Sequence, residues 1–220
     1  MADTGKTLDK ELLQFLNITK DKKSIEIPSI CNLDDIEYEI TKIGKYAFKN
    51  FENLEEITLS TSIKEIEDMA FCNCKSLKKV NFTDEVRYMG EGIFKNCTSL
   101  ENIEIPQKIK IINTGSFLNC TSLKSITLPK RLHTIKKGSF MQCTALEKID
   151  LPKELEHVEE GAFFGCTLLN NIALPNIVKI ETMAFCDCKS LSNFTMTRRY
   201  TEIDKTAFCG CDSLKEINWI

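Results

Sequence analysis

Histidine is almost absent from this 220-residue chain, with His133 and His157 the two that occur. The arrangements that usually carry catalysis are missing as well. No G-x-S-x-G elbow, Walker loop, H-E-x-x-H pair or Rossmann glycine pattern is present. That leaves no enzyme signal and no catalytic, cofactor-binding or metal-binding residue to name. An excess of one charge is lacking too. With 29 Lys plus Arg against 32 Asp plus Glu, the formal charge of −3 gives nucleic acid or an anionic membrane no electrostatic footprint. No apolar run reaches the ~18 residues that a membrane span needs, so no transmembrane segment is expected. The start, Met1-Ala2-Asp3-Thr4-Gly5-Lys6, has no apolar stretch behind it, position 2 is not glycine, and no cysteine stands four from the end. The expectation is a reduced, cytoplasmic protein. The alternative is a cell-surface one, reached by a non-classical route or written here without its leader. In a cytoplasmic setting the Asn-x-Ser/Thr triplets at Asn17, Asn81, Asn96, Asn119 and Asn193 carry no meaning.

Cysteine and periodicity are what the chain does have. Phe48, Phe71, Phe94, Phe117, Phe140 and Phe163 are 23 residues apart, Phe185 follows after 22 and Phe208 after 23. Three positions past each stand Phe51, Cys74, Cys97, Cys120, Cys143, Cys166, Cys188 and Cys211, and three further on a leucine from Leu54 to Leu214. A period-2 pair such as Ile126 and Leu128 comes next, and proline closes the unit at Pro106, Pro129, Pro152 and Pro175. The word is I-x-x-x-(A/S)-F-x-x-C-x-x-L-x-x-I-x-L-P. Phe, Cys and Leu at three-residue steps suit a helical or 3₁₀ turn, and I-x-L before proline suits a short strand. Such a unit cannot bury its own apolar side, so neighbours must stack into one continuous core with a parallel sheet along one face.

Strings such as Leu123-Lys-Ser-Ile-Thr-Leu-Pro129 and Ile43-Gly-Lys-Tyr-Ala-Phe48 make the sequence resemble the leucine-rich repeats of the BspA-like (treponemal) class. The resemblance implies an α/β repeat solenoid, a right-handed superhelix with a parallel β-sheet on one face and short helical turns on the other. Residues 1–24 are expected as an N-terminal capping helix and connector. Residues 25–220 then form the solenoid, an atypical first unit at 25–42 and eight repeats over 43–220. The capping helix is placed over 7–18 on Leu8, Leu12, Phe15 and Leu16, with Thr7 as N-cap. Functionally the resemblance implies a binding or adhesive surface. The reading is a non-catalytic protein–protein interaction module. Cell-surface adhesion or antigenicity is one alternative, and a targeting or regulatory subunit for an intracellular enzyme is another.

The seven cysteines at one repeat position, where the first unit has Phe51, read as small buried hydrophobes. Cys186 and Cys209 fall on neighbouring units and could bond if oxidised, while Cys31 and Cys72 have no assigned role. The C-x-C pairs have the wrong spacing for structural zinc. Glu154, Glu156, Glu159 and Glu160 around His157 read as a solvated face. Alternation on the strands turns Glu56, Thr58, Lys79, Asn81, Asn102, Glu104, Ser125, Thr127, Lys148, Asp150 and Asn171 outward, as a candidate binding face on the sheet. Glu, Lys, Glu, Lys and Glu at 55, 78, 101, 124 and 147 are placed to pair between neighbours. On the convex side Leu118, Met141 and Phe164 form a candidate apolar stripe. The closing strand Ile217–Ile220 leaves an edge open to self-association, with Trp219 expected to plug the core. The expected partner is a protein, and no cofactor is expected.

Overall fold

The computed structural model describes residues 5–174, 176–197 and 201–219. Pro175 and Ile220, both used above, lie outside them. The chain winds as a repeat solenoid of parallel strands, and each turn contributes to two ladders rather than the single sheet expected.

The first ladder is the I-x-L strand. Ser24–Glu26, Glu56–Thr58 and Lys79–Asn81 pair in parallel, as do Asn102–Glu104 with Ser125–Thr127. Lys148 bridges to Asn171, and Asn171–Leu174, Asn193–Met196 and Ile217–Trp219 continue the series. The second ladder uses the isoleucine that opens the word. Gly5–Leu8, Ile36–Ile43, Glu65–Ile66 and Tyr88–Met89 form one parallel run. Ile111–Ile112, Thr134–Ile135, His157–Val158, Lys179–Ile180 and Glu202–Ile203 form another. Two-residue strands are held because Ile66, Met89, Ile112, Ile135, Val158 and Ile180 are all buried at the second position. The ladder divides between Met89 and Ile111, where the Asn113 amide donates to the Met89 carbonyl at 2.6 Å.

Between the ladders runs the Phe-to-Leu arc, and it is not helical. Its i+3 bonds close separate turns, as Ala47 N to Gly44 O, Phe51 N to Phe48 O and Leu54 N to Phe51 O, each 3.1–3.2 Å. Two positive-φ positions in each unit but the last, which has one, interrupt any helix. Tyr46, Met69, Gly92, Gly115, Gly138, Gly161 and Met183 hold one, and Asn50, Asn73, Asn96, Asn119, Gln142, Gly165, Asp187 and Gly210 the other. A positive φ at the third residue of a β-turn is the type II requirement. The three-residue spacing read as helical is therefore the step of successive β-turns.

Inside the arc the phenylalanine rings stack. Neighbouring centroids from Phe48 to Phe185 are 5.1–5.5 Å apart with interplanar angles of 1–21°. Phe208 extends the stack at 5.6 Å. Each ring from Phe48 to Phe185 is fully buried, so the column is the spine of the core.

The start of the chain departs from the expectation. Gly5–Leu8 is a strand and the helix is only Lys10–Phe15, capped by Asp9, whose Oδ1 accepts from Leu12 N at 2.9 Å. Aspartate is the stronger N-cap, and Thr7 is held in the strand instead. Leu12 and Leu13 face the core, while Phe15 is 59% exposed. The long connection is a β-hairpin, Ile30–Leu33 antiparallel to Ile36–Ile43. Its turn residues Asp34 and Asp35 both have positive φ, as a tight hairpin turn demands. At the other end Trp219 is 49% exposed and does not plug the core.

Candidate functional site

The outward side of the first ladder collects the residues expected there. Glu56, Thr58 and Asn81 are half-buried, while Lys79, Asn102, Glu104, Ser125, Thr127, Lys148, Asp150 and Asn171 are exposed. Much of this face is satisfied by itself. Lys79 pairs with Glu56 at 2.7 Å, and Asn81 donates to Glu56 at 2.8 Å and to Thr58 at 2.9 Å. Ser125 donates to Asn102 at 2.6 Å. Alongside, Lys78 meets Glu55 at 2.8 Å and Lys124 meets Glu101 at 2.7 Å. These ammonium groups hold the Glu55, Glu56 and Glu101 carboxyls below their usual range, chiefly through the hydrogen bonds they donate.

Leu118, Met141 and Phe164 are half-buried on the arc. Each closes a turn, its N–H bonded to the carbonyl of Gly115, Gly138 or Gly161. They pack down over those glycines; a Cβ at Gly161 would come within 3.1 Å of the Met141 methyl.

The repeat cysteines are buried and each donates its thiol to a phenylalanine carbonyl of the preceding turn, from Cys74 on Phe48 to Cys211 on Phe185, at 3.0–3.2 Å. Burial pushes the Cys74, Cys120 and Cys166 thiols up to about 12, and Cys97 and Cys143 well above their ordinary value. Such thiols are chemically inert. Cys186 and Cys209 are joined as a disulfide with Cα atoms 4.6 Å apart. Cys31 and Cys72 are free and buried.

His133 is exposed and His157 half-buried, its Nε2 4.0 Å from the Glu156 carboxylate. Among the described residues no three or more His, Cys, Asp or Glu side chains gather to hold a metal ion. Among the same residues no helix is long and apolar enough to cross a membrane.

Two features escaped the sequence reading. One is an asparagine ladder in the arc, where Asn73 donates to Asn50 at 2.8 Å, Asn96 to Asn73 at 2.7 Å and Asn119 to Asn96 at 2.9 Å. The other is the outward side of the second ladder. There Lys64, Arg87, Lys110 and His133 succeed one another, with Tyr88 and Ile111 beside them, 47% and 38% exposed. Reading down the column after Ile63, Val86, Ile109 and Leu132 would have found it.

The BspA type leucine-rich-repeat region description matches residues 24–146 and 133–219 in six copies. No curated protein sequence matches the chain. Among solved structures, a leucine-rich-repeat protein of Treponema pallidum is similar at 21% identity and a TM-score of 0.62, over 97% of this chain and 84% of that one. One from Bacteroides ovatus is similar at 24% identity and a TM-score of 0.55. That comparison covers 89% of this chain and 63% of that one, so the chain spans under two thirds of the Bacteroides protein's length. The pneumococcal vaccine antigen PcpA is similar at 18% identity and a TM-score of 0.48, over 91% of this chain and 78% of that one. The BspA-type family match overturns the cytoplasmic expectation and favours the cell-surface alternative.

Proposed function

This chain belongs to the BspA-type leucine-rich-repeat family, and on that premise we propose that it is a non-catalytic protein-binding module of the adhesive or antigenic, cell-surface kind. The observation that carries the reading is the continuous phenylalanine spine, which fixes both ladders to one core and leaves their outward side chains as a preorganised surface. Preorganisation removes much of the ordering cost of association, so many modest contacts over several turns add up to useful affinity. In this proposal residues 1–24 cap the array and 25–220 form the binding solenoid. It winds right-handed, as parallel crossovers do in nearly every sheet. The first-ladder face, from Glu56 to Asn171, and the Leu118, Met141 and Phe164 stripe are candidate contact surfaces.

The test is labelling of intact cells that make the protein, using a membrane-impermeant amine reagent. The chain should be labelled in intact cells and removed by external protease. Labelling that appears only after lysis would overturn the extracellular reading.

A further inference from the structure

The ion pairs between neighbouring turns set opposite charges side by side. Lys42 meets Glu65 at 2.9 Å, Lys108 meets Glu85 at 2.9 Å and Lys137 meets Glu160 at 2.9 Å, like the pairs of the first face. Lys64, Arg87 and Lys110 break that pattern with three cations in succession, followed by His133. Arg87 N bonds to Lys64 O and His133 N to Lys110 O, both at 2.9 Å, so the column follows the backbone ladder on either side of the step from Arg87 to Lys110, where the ladder divides. Strand neighbours lie ~4.8 Å apart, and like charges at that spacing destabilise. Lys64 and Lys110 have no carboxylate at ion-pair distance among the described residues, and Arg87 reaches Glu65 only at 3.8 Å. Glu65 and Glu85 offset this local cost only in part, and a local cost left partly uncompensated marks a candidate functional position.

Three further observations meet at the same place. The second ladder divides between Met89 and Ile111. The division lies in a groove lined by Arg87, Tyr88, Lys110 and Ile111, with Lys108 and Lys136 at its side. Tyr88 and Ile111 expose apolar surface next to the cations, and tyrosine and arginine are among the residues enriched at the energetic centre of protein interfaces. Asp68 and Glu91 line the same groove, so it suits a short segment with apolar anchors better than a uniform polyanion.

We propose that this groove on the second ladder, centred on Arg87, Tyr88, Lys110 and Ile111, docks an acidic peptide segment of a partner protein that also carries an aromatic or aliphatic side chain. The carboxylates pair with Arg87 and Lys110, and the apolar residue lies against Tyr88 and Ile111. The inference rests on reading the chain as a protein-binding module, but it moves the principal contact away from the first-ladder face.

The test uses the full chain and a fluorescently labelled peptide of alternating Glu and Phe, followed by anisotropy. The peptide should bind and weaken as salt rises. Arg87→Glu and Tyr88→Ala should each raise Kd about tenfold or more, as loss of an interface anchor does. Both positions are exposed, and circular dichroism checks that the fold is kept. Lys153→Glu and Lys189→Glu, exposed and outside both faces, should leave Kd unchanged. No binding, equal binding of a Lys/Phe peptide, or ready displacement by a sulfated polysaccharide would overturn the proposal. Loss of binding in Lys79→Glu, on the first face, rather than Arg87→Glu would also sink it, while leaving the broader protein-binding reading intact. The intact-cell labelling described above tests the extracellular part of that reading separately.

Discussion

The two outward faces are built on one core and treat charge in opposite ways. On the first, Glu55, Glu56 and Glu101 each have a lysine from the next turn within 2.8 Å, and the Asn81 amide donates to both Glu56 and Thr58. On the second, Lys64, Arg87 and Lys110 stand in file beside an exposed Tyr88. A face that pairs its own charges contributes to the fold and has little left for a ligand. A face that leaves like charges together does the reverse. The lesson is that in a repeat array the binding surface is better sought where pairing between turns fails than where polar residues are most numerous.

Treatments that attack what the faces share should erase the contrast, and these have the largest effects. The first is alkali. Folded thiols that titrate near 12 lose their proton near 9 once exposed, so the unfolded chain releases protons first. Stability is then fully present below about pH 9 and falls as pH rises toward 12. Thermal melts from pH 8 to 11 should show a steep, cooperative decline, and a flat profile would contradict thiols buried in the stack. Next comes Phe117→Ala in mid-spine, which should cost on the order of 3–5 kcal/mol in denaturant unfolding. It should weaken both faces together. The smallest effects should separate them by sign. Lys110→Glu removes a like charge beside Arg87 and should raise the melting temperature slightly. Lys124→Glu sets a carboxylate against Glu101 and should lower it. Shifts of the same sign would mean that the faces do not differ as described.

Much of this fold was legible, and for a physical reason. Inward positions such as Phe117, Cys120 and Leu123 are fully buried, so each unit must repeat them, and the period follows directly. The second ladder was not legible because Ile111–Ile112 and its neighbours are two residues long, too short for alternation to show. The arc was misread because β-turns in series advance by three, as a helical face does. Its left-handed positions carry Tyr46, Met69 and Met183 as well as glycine, which hides the signal. The candidate surfaces were the least legible part. Outward side chains such as Lys79 and Arg87 are free to vary, and only their alignment between turns gives them meaning.

The asparagine ladder has a consequence for the length of the array. From Asn50 to Asn119 each link runs from an amide hydrogen to the side-chain carbonyl of the turn before, and Asn73 and Asn96 both donate and accept, so the dipoles run head to tail. Every link presents the same socket and the same plug. A whole turn duplicated within this stretch would find its amide partner on both sides, with no seam to mend. The chain can thus grow or shorten there by complete units, and a partial unit would break the current of dipoles at once.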